Sequence, residues 1–314
     1  FAAIYHPVGL AIVSMKWKNT GMRIAANGVW GNLGVASAAL ITGYMIDNAG
    51  WRMAYIVPGL FSLGVGLVYM ALRWKNIHLE RKEILPGKGA DQANVSASHR
   101  SLLIRVSAIV FLTTAVSSVI FQATTFALPK IFDERLQGLA ADLSAWIEGA
   151  ANSGQDDVAT VIGTLAFTVF AVASIAQLVV GSMLDRFGPR RVFMVVAIIQ
   201  IVFFSAMPGL TNGPALAVAL GFMLSAFGQI PINDYMIGKT ASGAHRAKIY
   251  GIRYVVSFTA LAVTLPFIAF VYQNWGFDTL FQILTGAAAI ILIAVTTLPG
   301  RLPTAEAQPN EVKT

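Results

Sequence analysis

An all-α integral membrane protein with several spanning helices is the fold this sequence predicts, on three observations. Only 12% of its 314 residues are charged and 56% are hydrophobic, whereas a soluble domain carries about a quarter charged residues. The apolar residues fall in long runs, several near the roughly 20 residues a helix needs to cross a bilayer core. The basic residues are confined to alternate connections between those runs, which is the inside-positive bias of membrane proteins. Helices satisfy their own backbone hydrogen bonds in lipid. A membrane barrel would show short alternating strands, and these runs do not alternate.

Nine segments are legible in order: 1–15, 24–46, 53–72, 102–128, 158–184, 192–207, 215–237, 250–272 and 277–298. The first is partial. The chain begins at Phe1 inside an apolar stretch, with neither Met nor a charged leader region, so a truncated sequence is expected. The connections 16–23, 73–105, 186–191 and 239–253, with the C-terminal tail, hold all but three of the 22 lysines and arginines. Arg52, Lys130 and Arg135 are the exceptions. The first set is therefore expected on the cytoplasmic side, with the C-terminus.

Residues 74–101 carry Pro86, Gly87, Gly89 and mixed charges, the composition of a linker. The outer connection 130–157 is acidic, with Phe132, Leu136, Leu139, Leu143, Trp146 and Ile147 at helical spacing. That pattern predicts an amphipathic helix on the membrane surface.

The net charge of +7 suggests a nucleic-acid partner in isolation, but its placement beside apolar segments makes the lipid bilayer the partner instead. The absence of cysteine excludes disulfides, thiolate metal sites and cysteine nucleophiles. Nothing resembles a phosphate-binding loop, and no cofactor, metal site or catalytic group is indicated.

A weak repeat runs through the chain. Pro7 precedes Trp51 by the same interval that separates Pro231 from Trp275. Each interval contains a span end, a basic loop, a glycine-containing span and a short outer turn. Three further spans precede Pro231, whereas only six residues precede Pro7. Parallel halves joined by a central linker are a common transporter plan, and on that plan three spans are expected to be missing. The boundaries become 1–73 for the remainder of an N-terminal bundle, 74–101 for the linker, 102–299 for a six-helix bundle and 300–314 for the tail.

At the end of segment 158–184 stands Gly181-Ser-Met-Leu-Asp185-Arg186-Phe-Gly188-Pro-Arg190-Arg191. It resembles the loop signature of the major facilitator superfamily between helices eight and nine, with Pro189 where a basic or small residue is more usual. The resemblance implies that this chain runs from within helix four through helix twelve of a twelve-helix plan. Tyr5-His6-Pro7-Val-Gly9, Asn27-Gly28-Val-Trp30-Gly31-Asn32-Leu-Gly34 and Gly50-Trp51-Arg52 look like bacterial members, some of which export drugs while others take up organic anions. A bacterial inner-membrane location follows from the resemblance. The signature also has a physical rationale. Gly181 permits close helix approach and Gly188 a tight turn. Asp185 places negative charge where a helix N-terminus would stabilise it. By the family's pseudo-symmetry that N-terminus is helix five, near Arg23. Asp185, Arg186 and Arg23 are thus expected to form a cytoplasmic latch between halves. The alternative is that the arginines merely set topology.

Polar stripes mark several spans at helical spacing: Ser118, Gln122 and Thr125; Ser174, Gln177 and Gly181; Ser225, Gln229 and Asn233; Tyr250, Arg253, Ser257 and Thr264. Such side chains avoid lipid, so the stripes either line a cavity or join helices to one another. Asn27 and Asn32 beside the glycines of segment 24–46 are further cavity candidates. Gly28, Gly31 and Gly34 with Ala38 and Ala39 form a small-residue packing surface. His6, near mid-bilayer beside Pro7, is either a proton-coupling group or pH gate, or a hydrogen-bonded structural histidine next to Tyr5. Arg253 either binds an anionic group through its fork of donors or snorkels to the surface, with Asp234 as a partner for it or for Lys239.

The sequence therefore points to a secondary transporter of a small solute, such as an organic anion or drug, working by alternating access and coupled to an ion such as a proton. The competing classes are a transporter-fold nutrient sensor and a membrane-embedded enzyme acting on lipid-linked substrate. The enzyme would need convergent carboxylates, histidines or metal ligands at an interface, and an enzyme is not the expectation.

Overall fold

The computed structural model describes residues 9–10, 19–74, 97–151, 158–240 and 246–300. Among them every regular element is an α-helix: α1 (Thr20–Ala49), α2 (Met53–Arg73), α3 (Ala97–Arg135), α4 (Gln137–Ala151), α5 (Val158–Phe187), α6 (Pro189–Ala206), α7 (Asn212–Thr240) and α8 (Arg246–Thr296). Most of the partial first segment, linker residues 75–96, Asp156 and Asp157 of the outer connection and the tail beyond residue 300 lie outside the described residues. The chain divides into two compact units, Phe1–Asn32 with Ser96–Thr314, and Leu33–Val95.

The larger unit is organised around α7, whose residues from Gly221 to Gly238 are almost all buried. A helix that is apolar all round belongs in the interior, and α7 has α3, α5 and α6 packed against it. Helix α8 packs in turn against α3 and α6. Phe204, Phe222 and Phe281 form a ring triad with centroids 5.4 to 6.4 Å apart, joining α6, α7 and α8. Phe227 of α7 contacts Phe121 of α3 at 5.1 Å. Outward faces are apolar too. Val195, Ile198 and Val202 on α6 and Val255, Phe258, Val263, Ile290 and Ile293 on α8 are exposed. Contiguous apolar surface of this kind is unfavourable in water and matches hydrocarbon. In the smaller unit α2 exposes Tyr55, Leu60, Phe61, Leu67 and Leu72, while Ala54 is buried.

Six of the described helices are long and apolar enough to cross a membrane, the last of them spanning 49 residues. At roughly 1.5 Å per residue that last helix is long enough for two crossings. Its backbone turns at Gly276, with φ 74° and ψ −178°, so residues 246–275 and 277–296 are two helices meeting at one residue. The sequence reading placed a turn of several residues there, and glycine permits the shorter junction. Gly50, at the other outer turn of the repeat, also has positive φ (82°).

Helix α3 continues past the expected end at 128 to Arg135, so Phe132 belongs to its last turn, fully buried, and not to the surface helix. The chain breaks at Leu136 before α4. Leu136 and Ala140 are buried while Trp146 is 73% exposed, the amphipathic division expected of α4. Asn212 Oδ1 accepts a hydrogen bond from the Leu139 N–H at 2.9 Å, satisfying one of the unpaired donors at the start of α4.

Candidate functional site

The signature residues sit where α5 turns into α6. Gly188 has φ 78° and ψ 161°, a region open essentially to glycine, and Pro189 follows as the first residue of α6, where its missing N–H costs nothing. The turn leaves Asp185 in the last turn of α5. Its Oδ1 accepts from the Gly21 N–H and its Oδ2 from the Met22 N–H, both at 3.0 Å. These are orphan donors in the first turn of α1, so one carboxylate oxygen serves each and the charge sits at the positive end of that helix.

This arrangement requires glycine on both sides. A Cβ on Gly21 would come within 2.5 Å of the Gly181 carbonyl oxygen, and one on Gly181 within 2.5 Å of Ala25 Cβ. Further along the same seam, a Cβ on Gly28 would overlap Gln177 Oε1. Gly21, Ala25 and Gly28 recur at i, i+4 and i+7 and therefore share one face of α1. That face meets Gly181 and Gln177 on α5. Gly31 and Gly34, expected in the small-residue surface, face open space. The side chains of Ala38 and Ala39 lie outside the described residues.

The arginines of the signature do different things. Arg190 Nη2 donates to the Thr296 carbonyl at 2.8 Å, and Arg105 Nη2 donates to the Thr297 carbonyl at 3.4 Å. Both hold the C-terminal end of α8, where carbonyls lack partners and positive charge is favourable. Arg186 is exposed with its guanidinium 6.0 Å from the Phe187 ring. Arg191 and Arg23 are exposed.

The polar stripes resolve into interhelical bonds within the larger unit. Gln200 Nε2 donates to Gln229 Oε1 at 2.7 Å, and Gln229 Nε2 donates to Ser117 Oγ at 2.5 Å, all buried. This chain links α6, α7 and α3. Thr113 Oγ1 donates to Asn233 Oδ1 at 3.4 Å. Ser118 and Ser257 join α3 to α8 at 3.0 Å, both half-buried. Ser174 and Ser225 bond carbonyls of their own helices. Gln122, Asn27 and Asn32 are half-buried. Gln177 is fully buried, and neither its Nε2 nor its Oε1 has a hydrogen-bond partner.

Arg253 does not snorkel. Its Nη1 lies 2.8 Å from Asp234 Oδ1, and both side chains are buried. Its guanidinium carbon sits 4.9 Å from the Tyr254 ring centroid, and the Tyr250 hydroxyl donates to the Asp234 carbonyl at 2.7 Å. The pair joins α7 to α8 with its charges neutralised. His6 lies outside the described residues.

Three participants escaped the sequence reading. Thr113 and Ser117 stand one helix face away from the stripe recognised on α3, and Gln200 is a lone amide in the apolar run 192–207. A lone Gln in such a run signals a buried partner, since lipid offers none. At the other end of the bundle Arg135 Nη2 pairs with Asp278 Oδ1 at 2.7 Å, and Asp278 also accepts from the Gly209 N–H at 3.2 Å. Among the described residues no three histidines or carboxylates converge to hold a metal.

The Major Facilitator Superfamily matches the sequence over residues 1–154 and again over 155–314. The crystal structure of the E. coli fucose:proton symporter FucP superposes with a TM-score of 0.60 at 14% identity, covering 94% of this chain and 73% of that one. At that identity the likeness is one of fold. A probable hexose phosphate transport protein of Chlamydia pneumoniae is 49% identical over 37 residues, which are 12% of this chain and 8% of that protein.

Proposed function

The chain belongs to the Major Facilitator Superfamily, and from that premise we propose that it works as a secondary transporter, moving a small polar solute by alternating access. The observation that carries this reading is the seam at the start of α1. Asp185 closes it through two hydrogen bonds to backbone N–H groups, where Gly21, Ala25 and Gly28 approach Gly181 and Gln177 closely. A charge-assisted bond to a helix end contributes about 0.3–2 kcal/mol, small enough to break in each cycle.

Residues 1–73 serve as the remaining part of one bundle, 74–101 as its linker and 102–299 as the other bundle. Helices α5 and α1 part when the basic end opens, and that end faces the cytoplasm of a bacterial inner membrane. The latch is Asp185 on the N-terminus of α1, with Gly21 and Gly181 setting the approach and Gly188 the turn. Arg190 holds α8 in place so that α5 and α6 move with their bundle. Arg186, Arg191 and Arg23 supply the positive charge that fixes orientation.

The solute is a neutral hydrogen-bonding molecule. The buried cation Arg253 is compensated by Asp234, and Thr113, Ser117, Gln200, Gln229 and Asn233, bonded between helices in the buried interior, are neutral. The name of the fucose:proton symporter supports a neutral sugar-like solute and proton coupling, whereas that of the hexose phosphate transport protein supports a sugar that carries negative charge. An organic anion would have to displace Asp234 from Arg253.

Uptake into proteoliposomes under an imposed pH gradient tests the reading, with fucose, a hexose phosphate, succinate and a lipophilic drug as probes. Gradient-dependent uptake of fucose supports it. Uptake of the anions alone, lost in Arg253→Ala, would replace the neutral solute by an anionic one. Movement of no probe by inserted, folded protein would favour the sensor or enzyme classes.

A further inference from the structure

Other buried amides of the larger unit each have at least one hydrogen-bond partner, although Gln200 Oε1 is left without one. Gln200 and Gln229 bond each other, and Asn233 accepts from Thr113. Gln177 is as deeply buried as these, yet both ends of its carboxamide are unpartnered. Native interiors rarely retain such a group without a functional reason. Its position supplies one. The carboxamide abuts α1 at Gly28, where a side chain of any size would overlap Oε1. It lies two helical turns along α5 from Asp185, the residue that closes the seam. Gln177 is therefore covered by a glycine at a contact held shut from one end.

Resting on the transport reading, we propose that Gln177 is a solute-binding residue, masked by Gly28 when α1 and α5 close and exposed when they part. Its ligand is a pair of adjacent hydroxyl groups. A carboxamide offers a donor and an acceptor in one plane, and two neighbouring hydroxyls supply the complementary acceptor and donor. Gly28 permits the amide to be stored against backbone without displacing it.

The test uses proteoliposomes of the full protein with fucose as probe. Gln177→Leu keeps the volume and removes both polar ends. The expected result is a KM for fucose raised about tenfold, the scale of losing a pair of neutral hydrogen bonds, with Tm unchanged or higher because an unpaired buried amide is gone. This chain contains no cysteine, so Gln177→Cys places one thiol at the site. Saturating fucose is expected to slow its maleimide labelling severalfold, which keeps the test open if the leucine variant does not insert. A wild-type KM in Gln177→Leu, or labelling indifferent to fucose while fucose is transported, would make Gln177 a packing residue and overturn this inference alone. Wild-type transport confined to succinate, which lacks hydroxyls, would also overturn it. Transport of no probe by the wild type would overturn the transport reading and this inference together.

Discussion

Asp185 draws its strength from geometry, since each carboxylate oxygen has its own backbone donor. In Asp185→Asn one oxygen becomes an NH2 group facing an N–H, and the charge at the helix end disappears. The loss of about 1–2 kcal/mol shifts the closed-to-open ratio by about 5- to 30-fold, read as faster thiol labelling of Met22→Cys. Unchanged labelling would remove Asp185 from the gate. The Arg253–Asp234 pair behaves differently because both partners are buried. Arg253→Met alone leaves a carboxylate without compensation and costs about 3–5 kcal/mol, whereas Arg253→Met with Asp234→Leu is close to neutral. Thermal unfolding in detergent measures both, and equal losses in the single and double variants would contradict the coupling. The two aspartates also differ in how legible they were. Asp185 sits in a signature that resembles the family's loop motif, and the family's pseudo-symmetry implied the helix N-terminus it faces. For Asp234 the sequence offered Arg253 and Lys239 equally, because choosing between them requires the rotation of α7 against α8. Gln200 was missed for the same reason: its partner, Gln229, lies on another helix.

Among the elements, glycine decides the joints. Gly188 and Gly276 adopt positive φ with ψ near 180°, where a side chain is strained by about 1–3 kcal/mol. Gly188→Ala is expected to lower Tm by a few degrees and to widen the α5–α6 turn that aims Asp185. A variant with wild-type Tm and wild-type gating would show the turn to be tolerant. The helices themselves were legible because an apolar run near 20 residues has few alternatives. Their ends were less so. Hydropathy stopped α3 at Leu128, but the helix continues to Arg135 because Ile131 and Phe132 are buried by neighbours no sequence window contains. Small-residue faces were half legible for a related reason. Gly28 meets α5 while Gly31, three residues on, faces open space, and composition treats them alike.

At the level of the whole molecule, the two family matches and the fold likeness agree with the all-helical membrane fold and the family resemblance read from the sequence. The buried α7, the amide chain from Gln200 to Ser117 and the bonded end of α8 tie the larger unit's core together. On the transport reading proposed above, the α1–α5 seam, where Gly21, Ala25 and Gly28 face α5 and Asp185 bonds the start of α1, is the contact that opens and closes. Spin labels at Met22 and Ser182, both exposed, report directly on the seam by pulsed electron resonance in lipid nanodiscs. Alternating access predicts a short and a long distance population, exchanged in proportion by Asp185→Asn and by a transported solute. A single short distance that neither the substitution nor any solute alters would mean that the seam is permanent packing, and the account of its opening would fail.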